Sequence, residues 1–543
     1  MGNYVIGIDF GTLSARALLV RISDGFVAAE SEFCYPHGVM GNEDFQGITL
    51  KKTDAFQHPQ DYLDALSNTI REVLQKAGVE NTEVAGIGMD FTACTVLPVS
   101  EDGTPLCMLP QYRNEPQAYA KLWKHQSAQA EADEINALAQ KRGEPWLQIY
   151  GGKISPEWYF PKLYELLHKA PEVFDACHQY LEAADWLTYM LTGDDVRSSC
   201  MAGYKAIWSE EEGYPGNDFW ETLDPRLSCI IGTKVGTNVK TVGTKAGVLN
   251  EQGSKLTGLP QGVSVAVPII DAHAGLPAAG VAESGKLVLI IGTSSCQLIL
   301  NDQYKPVPGI SGSVKNGVLP GFTGLEAGQA AVGDTFAWFM ENAVPESYVR
   351  EAKAQGKNIY AYLTEKAAAL RPGQSGLLAL DWFNGNRAPY GDGDLTGLIV
   401  GLNLRTKPEE IFRALIESTA FGTKAIVDIY EGNGVQVREV YATGGIPLKN
   451  PFMMQLYADV LDKEVRVVAS TQGGAKGSAI LAGAACGAFP DIQSATAVIA
   501  DKWEKAYYPQ KENTEIYRKL YARYRQVSAY FAENPVMKEL KNL

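Results

Sequence analysis

The stretch Asp9-Phe10-Gly11-Thr12-Leu13-Ser14-Ala15-Arg16 places a carboxylate, a glycine, two hydroxyls and a guanidinium within eight residues. Such a set can grip a phosphate chain. Gly11 lets the backbone turn against an oxygen, exposed N–H groups form an anion nest, Thr12 and Ser14 donate further hydrogen bonds, and Arg16 offsets charge. Asp9 would repel phosphate unless a cation stood between them, so its expected role is to hold Mg²⁺, directly or through water. A tight hairpin with a capping aspartate would read the same way. The second such stretch, Gly292-Thr293-Ser294-Ser295, lies in like surroundings, and two Gly-Thr turns can clamp the two sides of one polyphosphate. Ala442-Thr443-Gly444-Gly445, with Asn450 opening a helix, suits a flat adenine packed on backbone, though alone it is another Gly-Gly turn.

Asp271 ends the apolar run VAVPII and precedes Ala-His-Ala-Gly. A carboxylate at the exit of a buried strand, beside small residues, suits a general base that takes a hydroxyl proton during phosphoryl transfer. It equally suits a helix N-cap, and one residue can serve as both. His273 has no His or Cys at ligand spacing and reads as a packing residue. No G-x-x-x-x-G-K-[ST] is present and no G-x-G-x-x-G opens a helix after a strand, which disfavours a P-loop enzyme and a dinucleotide dehydrogenase.

The elements that must carry these residues follow from periodicity. YVIGIDF and ARALLVRI read as two strands returning around Asp9 to Ser14, followed by a helix over 61–77 that stops at Gly78 and a strand VAGIGMDF. Further helices are expected at about 115–141, 160–169 and 182–191. A second pass of similar design is expected from near residue 260: VSVAVPII, then KLVLIIGTSSCQLIL as strand, turn and strand, a long helix at 408–431, the strand REVYATGG, a helix opened at Asn450-Pro451, the strand EVRVV and the glycine-rich helix GGAKGSAILAGAACG. The division predicted is 1–259 and 260–543, two α/β lobes with a cleft between them. On 513–533, Ile516, Tyr517, Leu520, Tyr521, Tyr524 and Val527 share a helical face, to pack on their own lobe or on a second subunit in a homodimer.

Composition removes several classes. The 543 residues carry 48 Lys+Arg against 63 Asp+Glu, a net charge of −15, so no extended basic field exists for nucleic acid or anionic lipid. No apolar run approaches a membrane span and no secretory leader opens the chain. The eight cysteines contain no C-x-x-C, and read as reduced residues of a cytoplasmic protein. Glycine is plentiful, with 54 residues, in keeping with backbone brought close to a ligand.

Asp9-Phe10-Gly11-Thr12, Asp271, Gly292-Thr293-Ser294 and Thr443-Gly444-Gly445, in this order, make the chain resemble the FGGY carbohydrate kinases nearly end to end. The segment 393–422, with Arg413 and Glu417, is similar to that family's C-terminal signature, with a longer spacer between Gly397 and Glu410; the N-terminal signature around Lys162 matches loosely. The resemblance implies two actin-like (ribonuclease H-like) ATPase lobes, ATP with Mg²⁺, and a small sugar as acceptor. Met89-Asp90-Phe91-Thr92-Ala93-Cys94, Gly203-Tyr204-Lys205-Ala206, the segment around Asp271 and Gly324-Leu325-Glu326-Ala327-Gly328-Gln329 resemble the branch acting on L-ribulose. That branch phosphorylates the 5-hydroxyl, a step of L-arabinose breakdown. By position it implies that Ala93, Lys205, Asp271 and Glu326 surround the sugar, that Gly11, Thr12, Ser14, Arg16, Gly292, Thr293, Gly333, Gly445 and Asn450 face ATP, and that Asp9 serves the metal. Taken singly, Lys205 and Glu326 would read as solvated surface charges. Kinases of xylulose or ribitol, or a non-metabolic actin-like ATPase, are the alternatives, since fold alone does not choose.

Overall fold

The computed structural model describes residues 2–41, 44–45, 48–469 and 472–541. Its frame is one sheet plan used twice. In the first sheet β1 (Tyr4–Phe10) turns back as β2 (Ser14–Arg21), which pairs antiparallel with β3 (Val27–Cys34), while on its other side β1 runs parallel to β4 (Val84–Phe91). The sheet continues through β5 (Lys245–Val248) and β6 (Ser264–Ala266), and β7 (Ile269–Ile270) also pairs with β4. In the second sheet β8 (Lys286–Ile291) turns back as β9 (Ser295–Asn301). Beyond β9 lie β11 (Thr323–Gln329) and β10 (Gly312–Lys315); beyond β8 lie β12 (Glu439–Thr443), β13 (Val465–Val468) and β14 (Trp503–Tyr507). Both leading strands are mostly buried, with no exposed residue in either, as expected where helices cover both faces of a sheet.

Helices α1 (Pro59–Ala77), α2 (Tyr159–Lys169), α6 (Pro408–Gly432), α7 (Pro451–Leu461), α8 (Gly473–Ala485) and α10 (Lys511–Glu533) fall where periodicity puts them, as does the helix Ala183–Thr192, whereas α3 (Ser199–Lys205), α4 (Asp271–Ala278), α5 (Gly333–Asn342) and α9 (Ile492–Ile499) are announced by no periodicity. The helix expected at 115–141 begins only at Gln129. Pro116 opens a short 3-10 turn there, and Ala120–Lys121 pairs with Phe56–Gln57, so hydrogen bonding across strands overrides local helical spacing. That strand belongs to a separate small sheet whose apolar core is built largely from residues 94–235.

Two departures bear on the site. The strands at 264–270, read from sequence as the start of the second pass, join the first sheet, where Ile269 and Ile270 align with Asp90 and Phe91. Asp271 is thereby delivered to the same carboxyl end of the sheet as Asp9. Second, Ala475, Ala479, Ile480, Leu481 and Ala482 of α8, with Ile492, Ala495 and Ile499 of α9, lie in the core of the first sheet. A cut at 259/260 therefore follows neither sheet nor core: the chain leaves the first lobe near residue 281, builds the second sheet, and returns at 473–500. Glycine permits the close packing of α8, because a Cβ at Gly7 would stand 1.9 Å from Ala475 O and one at Gly88 2.0 Å from Ser478 O.

The tyrosine-rich face of α10 packs on its own lobe. Tyr517 accepts from Arg413 Nη2 at 2.8 Å and donates to Glu417 Oε1 at 3.1 Å, while Tyr524 donates to Asp381 Oδ1 at 2.7 Å; Ile516 alone of that face is classed as exposed. No helix among the described residues is long and apolar enough to cross a membrane.

Candidate active site

Asp9 stands at the end of β1, opposite Arg16 in the hairpin ladder and beside Asp90 in the parallel one. The turn closes through Gly11 N–H to Ser14 O at 3.0 Å. Its tip is anchored from the small sheet's side: Trp123 Nε1 donates to Thr12 Oγ1 at 3.1 Å and Gln57 Nε2 to Thr12 O at 2.6 Å. Two expected phosphate donors point elsewhere. Ser14 Oγ donates to Glu32 Oε1 at 2.8 Å, and Arg16 reaches the same oxygen through Nε at 3.1 Å and Nη2 at 3.0 Å, because β2 and β3 align Arg16 with Glu32. An anion at this turn meets main-chain N–H groups first.

The second turn is tighter and better supported. Gly292 N–H closes on Ser294 O at 2.9 Å, while Val332 and Asp334 donate to Thr293 O at 2.8 and 3.2 Å and Gly333 to Gly292 O at 3.1 Å. A side chain at Gly333 would strike Gly292 O at 2.7 Å, and one at Gly444, whose φ is 106°, would strike Ile291 O at 2.5 Å. Gly292, Thr293 and Gly333 thus pack into one turn, with Gly444 against the end of β8 and Gly445 opening the short helix Gly445–Lys449 beside it. Asn450 follows that short helix, its Oδ1 capping α7 by accepting from Met453 N–H at 3.0 Å.

Lys205, Glu326 and Asp271, three of the four residues expected to face the sugar, share one neighbourhood. Lys205, the last residue of α3, donates to both oxygens of Glu326 on β11 at 3.1 Å, and its ammonium lies 5.5 Å from the centre of the Trp158 ring. Side-chain exposures of 12% and 14% leave this pair shielded but reachable. Burial alone would drive the lysine down and the carboxyl up; their mutual attraction reverses both, so the pair is ionised. The His273 ring lies 4.3 Å from that of Tyr204, tilted 46° to it, and brings Nε2 within 3.3 Å of Glu326 Oε2 without forming a well-aligned bond. Burial lowers its pKa, so it stays neutral at pH 7. Its ring packs on Tyr204, and both ring nitrogens are buried without a hydrogen-bonding partner.

Asp271 is the first residue of α4, with Ala272 N–H donating to its Oδ1 at 2.7 Å. Ile270, not Asp271, occupies the cap position. Burial, then the charge of Asp9, lifts the Asp271 carboxyl to about 7. Ala93 lies in the loop after β4, next to Cys94 with a φ of 56°. Lys162 holds that strained backbone: its buried ammonium donates to Cys94 O at 2.7 Å and to Leu122 O at 2.8 Å, and desolvation brings its pKa down to about 8.

Asp9 and Asp90 fit a hard divalent cation. Burial raises both carboxyls, Asp90 furthest because the charge of Asp9 adds to it. Asp90 Oδ1 is buried and without a hydrogen-bonding donor. Another cluster, Asp54, His125 and Glu165, has ligand spacing but does not fit a metal. His125 Nδ1 accepts from Ala55 N–H at 3.1 Å, which puts the ring proton on Nε2, facing Glu165 at 2.8 Å, and Lys121 adds an ammonium at 2.7 Å. Sequence reasoning gave no role to Asp90 or Trp158. The pattern G-x-D-F, present at 7–10 and again at 88–91, carried the signal for Asp90; nothing local carried one for Trp158.

Residues 4–276 match the model of the N-terminal domain of the FGGY family of carbohydrate kinases, and residues 287–486 match that of its C-terminal domain. A ribulokinase of Bacillus licheniformis is 47% identical over 537 residues, covering 98% of this chain and 97% of its own. One of Mycolicibacterium smegmatis is 44% identical, covering 99% and 96%. Among solved structures, a xylulose kinase from Rhodospirillum rubrum superposes with a TM-score of 0.80 at 22% identity, covering 98% of this chain and 100% of that one. A Plasmodium falciparum glycerol kinase with ADP gives 0.76 at 16%, covering 97% and 98%.

Proposed function

The chain belongs to the FGGY family of carbohydrate kinases, and within it we propose that this enzyme transfers the γ-phosphoryl group of ATP to the 5-hydroxyl of L-ribulose. One observation carries the site assignment: Asp271, at about 7, shares a buried electrostatic neighbourhood with the ionised Lys205–Glu326 pair, at the junction of two sheets that each bear a Gly-Thr turn. The near full-length likeness to ribulokinases at 44–47% identity favours L-ribulose as the acceptor.

The ketose lies against the loop of Ala93, whose small side chain leaves room for it. Lys205 donates to, and Glu326 accepts from, hydroxyls along its chain, so the terminal hydroxyl is oriented toward Asp271. Asp271 takes that hydroxyl's proton as its oxygen attacks the γ-phosphorus and the bond from phosphorus to the ADP oxygen breaks. A carboxyl near 7 is suited to this at neutral pH. The phosphates lie between the main-chain donors of Gly11–Thr12 and those of Gly292–Thr293, with Gly333 packed against the latter turn and adenine against Gly445 and Asn450. Mg²⁺ at Asp9, when bound, offsets the charge that gathers on the departing ADP.

The test is ADP release from Mg-ATP with L-ribulose, D-ribulose, both xyluloses, ribitol and glycerol. L-ribulose should give the highest kcat/KM. Preference for another acceptor would overturn the substrate, and ATP hydrolysis indifferent to every sugar would overturn the kinase reading of this site.

A further inference from the structure

Lys162, near the start of α2, is 0% exposed, and both of its side-chain hydrogen bonds go to main-chain oxygens, Cys94 O at 2.7 Å and Leu122 O at 2.8 Å. A buried lysine is ordinarily matched with a carboxylate, as Lys121 is with Glu165 at 2.7 Å. Taking an ammonium out of water is costly, and what it secures here is the path of one loop.

The two carbonyls belong to segments that serve different parts of the site. Cys94 lies in the loop after β4, next to Ala93. The ends of that loop are tied to the frame, Thr92 N–H donating to Phe10 O at 3.3 Å and Ala183 N–H to Thr95 O at 2.7 Å. Between them Cys94 takes a φ of 56°, which residues other than glycine adopt at a cost, and the bond from Lys162 holds its carbonyl there. The charge of Lys205 acts on the Cys94 thiol, so this loop stands beside the Lys205–Glu326 pair. Leu122 precedes Trp123, whose indole donates to Thr12 Oγ1 in the first Gly-Thr turn. Leu122 has further bonds of its own, its N–H to Ala55 O and its carbonyl from His125 N–H, both at 2.9 Å. Loss of Lys162 would therefore free the loop of Ala93 and leave the Gly-Thr turn anchored.

We infer that Lys162 is a positioning residue for the acceptor sugar: it clamps the Ala93–Cys94 backbone to the segment that anchors the first Gly-Thr turn, and so fixes where the sugar lies relative to the phosphates. It touches neither substrate and acts through Ala93. Without the clamp Cys94 relaxes toward negative φ and carries Ala93 with it. An acceptor displaced by about 1 Å loses the alignment that its terminal hydroxyl needs for attack. The inference rests on the sugar reading above.

The experiment is steady-state kinetics of the full chain, Lys162→Met, Lys162→Gln and the double variant Lys162→Met/Cys94→Gly with L-ribulose and Mg-ATP. In Lys162→Met, kcat/KM for L-ribulose should fall roughly 10–100-fold, while KM for ATP keeps its wild-type value. Lys162→Gln, which retains a donor on a shorter side chain, should fall between. Adding Cys94→Gly should restore most of the loss, because glycine takes a positive φ without a clamp; a lysine that serves stability alone would not respond in this way. An unchanged kcat/KM for the sugar, an equal rise of both KM values, or a double variant no better than Lys162→Met would overturn the inference. So would failure of both single variants to fold, since Lys162 would then serve the fold and not the sugar. A wild type indifferent to L-ribulose would instead sink the sugar reading.

Discussion

Asp271 must release a proton before it can accept one, and burial beside Asp9 holds that event near pH 7 rather than near the ordinary carboxylate value of about 4. The acid limb of kcat/KM for the sugar should therefore lie close to 7, and a pH–rate profile with its limb near 4 would contradict the assignment. Between about pH 4 and 7 the folded chain keeps a proton that the unfolded chain has lost. The contribution of this group is thus present in acid and lost as pH rises through about 7. Asp271→Asn should then raise Tm more at pH 8 than at pH 5, while turnover falls by about 10²–10⁴. Lys205→Met should leave Glu326 without its ammonium and raise KM for the sugar about tenfold or more, with KM for ATP unchanged; a change in the ATP value alone would place Lys205 outside the sugar site. Of these residues, Asp9, Gly11, Gly292 and Asp271 announced a phosphoryl-transfer chemistry by type and context. Lys205 and Glu326 did not, because a lone lysine and a lone glutamate look like surface charges until two distant segments are brought together.

Helices and strands were legible because their periods are local, as α1, β4 and α10 show. Partners were not. The run 264–270 is unmistakably strand-like, yet nothing within it says that it joins β4 rather than β8, since parallel pairing is set by distant chain. The covering of the first sheet by α8 was equally hidden, although its means were in view as glycines at 7, 86 and 88 and at 474 and 477. Gly88→Ala should drive a methyl into the backbone of α8 and cost about 1–3 kcal/mol or more. Chemical denaturation would measure it. Leu13→Ser, at the 62% exposed tip of the first turn, should change stability by less than about 0.5 kcal/mol.

At the scale of the molecule, the Lys205–Glu326 pair ties α3 of the first lobe to β11 of the second, and the sugar is expected to insert its hydroxyls into that link. Sugar binding should therefore draw the lobes together and exclude water that would otherwise take the phosphoryl group. Small-angle scattering should show a smaller radius of gyration with L-ribulose than without it, and an unchanged radius would argue against closure. The return of residues 473–500 to the first core carries a separate consequence for how the protein comes into being. During synthesis the sheet that bears Asp9 waits, one side bare, until almost nine-tenths of the polypeptide has left the ribosome, so a chain stopped at about residue 460 would be prone to aggregate even though every residue of that sheet is already made. Supplying the missing tail as a separate peptide should rescue it.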